Sequence, residues 1–117
     1  MIYSFTDDSI GGSFVTAHKK GIDISGLLDN SQNKNSNYSQ YHKLQSAGIN
    51  VSLYGTGKKL LHNKVIIIDS RIVITGSYNP TQNGDKYNDE NIMIIYNEEI
   101  AKQYERKLQE LRLNSSK

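Results

Sequence analysis

His62, Lys64 and Asp69 stand in the order His-x-Lys-x4-Asp, and Gly76-Ser77-Tyr78-Asn79 and Glu90-Asn91 follow downstream. An imidazole can attack phosphorus or move a proton, an ammonium can neutralise a phosphate, and a hydroxyl and an amide can donate to its oxygens. Residues 62–68 read as a strand, in which side chains two apart share a face about 7 Å apart along the chain. His62 and Lys64 can therefore meet one phosphate. Ser77 and Asn79 repeat the spacing at the end of the next strand. Asp69 has the opposite parity to His62 and Lys64 and falls where a turn is expected, so its residue-level reading is a supporting carboxylate. A metal site built from His62, Asp69 and Glu90 is chemically allowed. It is disfavoured because Lys64 repels a divalent ion and already supplies the positive charge a phosphate needs. The chemistry these groups share is phosphodiester exchange.

The His-Lys-Asp spacing is moderately specific alone and gains weight from the Gly-Ser-x-Asn behind it. With Tyr3-Ser4-Phe5-Thr6, Lys20-Gly21-Ile22-Asp23-Ile24, Leu28-Asp29 and a closing amphipathic helix, the chain resembles the phospholipase D superfamily, most closely its small single-motif bacterial endonuclease branch. The resemblance implies a catalytic set of His62, Lys64, Asp69 and Glu90, with Glu90 hydrogen-bonded to the far nitrogen of His62. It implies that Lys64, Ser77 and Asn79 bind phosphate, with no metal and no cofactor. One motif supplies one histidine, so the resemblance also implies a homodimer sharing one active site. The expected activity is that of a metal-independent phosphodiesterase, a non-specific endonuclease on DNA and/or RNA working through a phosphohistidine. Two other classes stay open: a phospholipid phosphodiesterase or transferase, including a fragment of a two-motif enzyme, and a non-catalytic nucleic-acid-binding module. The family's strand–helix unit ahead of the segment matching Ile2-Thr6 is expected to be missing here, which would leave a sheet edge uncovered.

Composition bounds these readings independently. The 117 residues suit one domain, read as 1–113 with a frayed tail over 114–117. A formal net charge of +2, with no basic run longer than two, does not by itself announce a nucleic-acid binder. Any basic surface is local, and Lys58, Lys59 and Lys86 are expected to join Lys64 along it. The absence of cysteine excludes a disulfide scaffold and thiolate chemistry. The longest aliphatic run, Val65 to Ile68, is far too short to span a membrane, and the start has no signal-peptide pattern. Stable membrane insertion is not expected, and the default compartment is the cytoplasm, or the periplasm or exterior if an upstream segment has been lost. His18 and His42 read as ordinary surface or helix-end residues.

The elements that must position the site follow from local patterns. Thr6-Asp7-Asp8 predicts a helix start, with Ile10, Phe14 and Val15 on its apolar face and an end at Lys19-Lys20-Gly21. Ile22 to Leu28 predicts a strand, and Asp29 to Ser39 a polar, mobile flap. Tyr38, Tyr41 and Leu44 predict a second helix ended by Gly48, followed by a strand at Val51 and Leu53 and a flexible turn at Gly55-Thr56-Gly57. Val65 to Ile68 reads as a central strand covered on both faces, Ile72 to Thr75 as its hairpin partner, and Ile92 to Ile95 as another buried strand. Residues 80–90 read as a polar loop, and Asn97 as the cap of a helix with Ile100, Tyr104, Leu108 and Leu111 on one stripe. The class is α/β: one domain with a mixed sheet and helices on both faces.

Overall fold

The first helix begins where its side-chain chemistry requires. In the computed structural model, which describes residues 1–56, 58–81 and 86–115, Asp7 keeps an extended backbone and its carboxylate accepts from Ile10 N at 2.9 Å. That bond satisfies an otherwise orphaned donor of α1 (Asp8–Lys19), and Gly21, at φ +91°, turns the chain away from it. β1 (Ser25–Asp29), α2 (Asn30–Asn33), α3 (Tyr41–Ser46) and β2 (Asn50–Tyr54) follow. The second half holds β3 (Val65–Ile68), β4 (Ile72–Gly76), β5 (Ile92–Tyr96) and α4 (Glu98–Ser115). Asn97 Oδ1 caps α4 by accepting from Ile100 N at 2.9 Å. Asn114 and Ser115 are helical, where a frayed tail is expected from sequence; residues 116–117 lie outside the described ones.

Residues 1–3 join two sets of strands into one mixed sheet. β1 and β2 pair in parallel, with Leu28 opposite Leu53, and β3, β4 and β5 pair antiparallel. Between them Ile2 N donates to Leu27 O at 3.0 Å, and Asp29 N donates to Ile2 O at 3.1 Å. On its other side Tyr3 N donates to Asn63 O at 2.9 Å, and Val65 N donates to Met1 O at 2.8 Å. The order across the sheet is therefore β2, β1, the amino-terminal segment, β3, β4, β5.

Strand alternation sends successive side chains into two cores. Met1, Leu27, Val65 and Val73 pack with Leu61 beneath α4 through Ala101 and Leu111, joined by Ile100, Tyr104 and Leu108. Ile2 and Leu28 pack on the opposite face with Phe5, Leu44 and Ile49, beneath α1 and α3. The sheet thus carries helices on both faces. Met1's amine is enclosed there, donating to Val65 O, and burial with Arg112's nearby charge lowers its pKa to about 5.

Two sequence expectations are corrected. β5 is not a buried strand: Ile92, Met93 and Ile94 are each more than half exposed. β5 lies at the edge of the sheet, α4 covers only the side bearing Ile95, and α1 and α3 lie over the other half of the sheet. Nor is Asp29 to Ser39 a loose flap. Asn33 is fully buried, donating to Tyr3 O and Asp29 O while its Oδ1 accepts from Ser39 Oγ at 2.7 Å. These bonds pin both ends of the loop to the sheet.

Candidate active site

The switch from parallel to antiparallel pairing beside residues 1–3 gathers the polar residues at one end of the sheet. The amino-terminal segment and β1 finish at that end with Tyr3 and Asp29, and β3, running the other way, begins there just after His62-Asn63-Lys64. β4 returns to it with Gly76-Ser77, and β5 departs from it after Glu90-Asn91. A crevice outside strand ends at such a switch is where mixed and parallel sheets bind ligands. Gly76 makes the close approach there: at φ +154°, a Cβ on it would lie 2.2 Å from Asn91 O. The glycine lets Ser77 N donate to Asn91 O at 3.1 Å while Asn91 N donates to Ser77 Oγ at 3.0 Å.

His62 and Lys64 meet as their spacing predicts. Lys64 Nζ lies 2.9 Å from His62 Nδ1, 3.3 Å from Nε2, and 2.9 Å from the His62 carbonyl oxygen, to which it donates. Burial holds the Lys64 ammonium below the ordinary lysine range, and the charge of Glu90 pulls in the opposite direction. His62 itself is exposed, so a phosphate can reach the ring. Asn79 is held by Ser4, whose backbone N–H donates to Asn79 Oδ1 at 3.1 Å, which leaves the amide N–H2 as the group available to an anion.

The remaining predicted residues divide. Glu90 is at the site, but its carboxylate accepts from the Ser77 hydroxyl, and His62's ring nitrogens face Lys64 instead of Glu90. Asp69 is not at the site. With Ser70 it holds positive φ, 53° and 55°, in the tight three-residue connection between β3 and β4, where Arg71 N donates to Ile68 O at 3.0 Å. Five residues of strand separate it from Lys64, about 16 Å. Its expected catalytic place is therefore corrected to a turn position at the far end of β3. Lys59 lies with its ammonium 5.7 Å from the Tyr54 ring centre, and that tyrosine raises its pKa. Lys58 and Lys86 are exposed, and Gly57 lies outside the described residues. Among the described residues no group of three or more His, Cys, Asp or Glu side chains is placed to hold a metal ion.

Two residues that sequence reasoning did not assign to the site are part of its frame. The Tyr3 ring packs on His62 with centroids 4.6 Å apart, and Lys64 Nζ stands 5.3 Å from the same ring. An aromatic face there favours cationic neighbours and limits the imidazole's rotation. Asp29, fully buried, accepts from Leu61 N at 2.7 Å and so fixes the backbone one residue before His62. The Tyr-Ser-Phe-Thr and Leu-Asp segments were the available signals, but their sequence positions do not reveal which residues they touch.

Comparisons with known proteins agree with this geometry. A family model described as "Cardiolipin synthase, PLD-like domain" matches residues 1–112. A phospholipase D of Rickettsia conorii is 41% identical over 102 residues, which is 87% of this chain and 50% of that protein. A mitochondrial cardiolipin hydrolase of Xenopus tropicalis is 29% identical over 110 residues, 94% of this chain and 51% of that protein. The chain thus spans about half the length of the curated relatives it matches. Among solved structures, the phospholipase D family member Nuc from Salmonella typhimurium superposes with a TM-score of 0.87 at 29% identity, covering 98% of this chain and 76% of that one. NucT from Helicobacter pylori gives the same TM-score at 26% identity, covering 97% and 76%. A mixed sheet with a histidine and lysine at its parallel-to-antiparallel switch, and a family match over nearly its whole length, place this chain in the phospholipase D superfamily.

Proposed function

We propose that the chain is a metal-independent phosphodiesterase, and that its substrate is nucleic acid. The observation that carries this reading is the convergence of His62, Lys64, Ser77 and Asn79 at one end of the sheet, with Lys64 already against both ring nitrogens of His62. In the reaction, His62 attacks phosphorus in line and forms a phosphohistidine while the bond to the leaving oxygen breaks. His62 of the partner subunit gives that oxygen its proton. It then takes a proton from water, whose oxygen attacks phosphorus and releases His62. Lys64, Ser77 and Asn79 hold the nonbridging oxygens, and Lys64 supplies the positive charge. A two-fold dimer is the arrangement that brings two copies of one histidine to one phosphate.

Nucleic acid is preferred because the groups beside His62 and Lys64 are polar and hydrogen-bonding: Asn79 on Ser4, and Ser77 with Glu90 and Asn91. A lipid phosphodiesterase is the second reading, favoured by the names of the phospholipase D and cardiolipin hydrolase relatives. No helix among the described residues is long and apolar enough to cross a membrane. Purified protein incubated in EDTA with plasmid, RNA and cardiolipin vesicles, beside a His62→Asn control, separates the readings. Salt-sensitive cleavage of DNA or RNA with weak base preference is expected. Hydrolysis confined to vesicles overturns the substrate, and loss of all activity in EDTA overturns the mechanism.

A further inference from the structure

The loop from Lys34 to Gln40 walls a cleft of about 640 Å³ that the chemistry of the site does not use. Its lining includes Lys34, Asn37, Tyr38, His42 and the ion pair of Lys43 with Asp8 at 2.8 Å. The cleft is tied to the active site through the hydrogen bonds that hold its loop to residues 3–5. Asn33, at the base of the loop, donates to Tyr3 O, and Gln40 N donates to Phe5 O at 2.8 Å, while the Tyr3 ring packs on His62. The loop is pre-formed: Ser39 Oγ donates to Asn33 Oδ1 and accepts from Tyr41 N at 3.1 Å, which closes the segment between residues 33 and 41.

A rigid loop here displays two groups with no structural task. Tyr38 is 80% exposed although its backbone is fixed by the Ser36 hydroxyl. The Lys34 ammonium makes no hydrogen bond or ion pair among the described residues; that residue's backbone is engaged, its N–H with Asn30 O and its carbonyl with His42 Nε2, both at 3.1 Å. The cleft's charge is positive, since one of its two lysines is matched by Asp8 and the other is not. An exposed aromatic face beside an unmatched cation, with amide groups at the edge, is the chemistry of a nucleotide site: a base stacks on the ring while the lysine meets a phosphate.

We propose that this cleft binds the nucleotide that flanks the scissile phosphate, with its base on Tyr38 and its phosphate on Lys34. The proposal rests on the nucleic-acid reading above and adds where the strand lies. Every base has a stackable face, so the subsite gives affinity without sequence preference. Only an unpaired base can reach the ring, so the contribution belongs to single-stranded substrate.

The test compares wild type, Tyr38→Ala, Tyr38→Phe and Lys34→Ala on two substrates. Bis(p-nitrophenyl) phosphate is too small to fill more than the His62 end; a short fluorescein-labelled single strand fills both. Tyr38→Ala is expected to raise KM for the single strand about tenfold, with kcat held and the small diester unaffected, while Tyr38→Phe stays near wild type. Lys34→Ala is expected to lower the slope of log affinity against log salt by about one. Equal losses on both substrates, or no change in KM for the single strand, overturns the cleft. Should wild type leave the single strand intact, the nucleic-acid reading fails at that point. The cleft is then judged by anisotropy of the same strand on a His62→Asn background, where a Kd indifferent to Tyr38→Ala overturns it.

Discussion

Replacing Asp29 by alanine tests whether the site is held by a buried carboxylate that performs no chemistry. Asp29 has no exposed surface, and its oxygens accept from Leu61 N at 2.7 Å, from Gln32 N at 3.2 Å and from the Ser31 hydroxyl. The Gln32 bond caps α2, and losing such a cap costs about 1 kcal/mol. The Leu61 bond is dearer to lose, because Leu61 is 1% exposed and its N–H would be left buried without an acceptor, at about 1–3 kcal/mol. The sum is about 3 kcal/mol, roughly 12 °C in Tm for a domain of this size. Asp29→Asn keeps one oxygen for Leu61 N and puts an NH2, which cannot accept, where the other takes the bonds from Gln32 N and Ser31, so it should cost about half as much. Thermal melts followed by circular dichroism give the stability, and turnover of bis(p-nitrophenyl) phosphate well below each Tm gives the position of His62. Asp29→Ala should lose both stability and kcat, and Asp29→Asn should recover most of each. A Tm for Asp29→Ala within about 2 °C of wild type would refute the clamp, since nothing this buried can lose three acceptor bonds cheaply.

His62→Asn should abolish turnover with the fold intact by circular dichroism, and Lys64→Ala should lower kcat/KM by about a hundredfold or more, as removal of a charge-stabilising donor does. If two His62 residues share one phosphate, unfolding and refolding equal amounts of wild type and His62→Asn together should leave about a quarter of the wild-type activity rather than half; half would show that each subunit works alone. Tyr3→Leu should lower kcat on the small diester more than it raises KM, and Tyr3→Phe should not, because the ring and not the hydroxyl touches His62 and Lys64. Burial lowers the Lys64 pKa, so kcat/KM should fall with rising pH below the range of an ordinary lysine; bound phosphate restores the proton, so kcat should fall at higher pH than kcat/KM does. Coincident alkaline limbs in the two profiles would assign that limb to another group.

The parts of the site that depend on local spacing were legible in the sequence. His62 and Lys64 lie two apart in the extended stretch leading into β3, where a period of two puts them together without knowledge of the fold, while Ser77 and Asn79 lie just past the end of β4. Asp7 and Asn97 cap the helices predicted for them, because a cap reaches only three residues. What was not legible depends on register and on distant pairs. Glu90 reaches Ser77 because β4 and β5 pair with Gly76 opposite Ile92, a register set by a loop whose sequence is silent about it. Asp29 finds Leu61 32 residues further on. Asn33 and Ser39 read as flap residues because polar composition marks loops, yet here the same polarity supplies the buried hydrogen bonds that stiffen one. β5 is as apolar as β3, and periodicity cannot say that its neighbours cover only one side.

A site with one histidine per chain faces a problem that its own geometry sharpens. Phosphohistidine chemistry needs one imidazole neutral to attack and one protonated to release the leaving oxygen, but two copies related by symmetry have the same surroundings. In the proposed dimer each His62 has the same neighbours, a Lys64 ammonium at its nitrogens and a Tyr3 ring against it. In that proposed arrangement symmetry makes the two rings equivalent, so the substrate must distinguish them. A phosphodiester has two different ends, and the way it lies across the two-fold axis decides which histidine faces the leaving oxygen. With the subsite proposed beside Tyr38 present on each side of that proposed axis, a strand would bind in either polarity and still find one nucleophile and one acid. Symmetry then costs the enzyme no choice of direction, because the asymmetry the chemistry needs arrives with the strand.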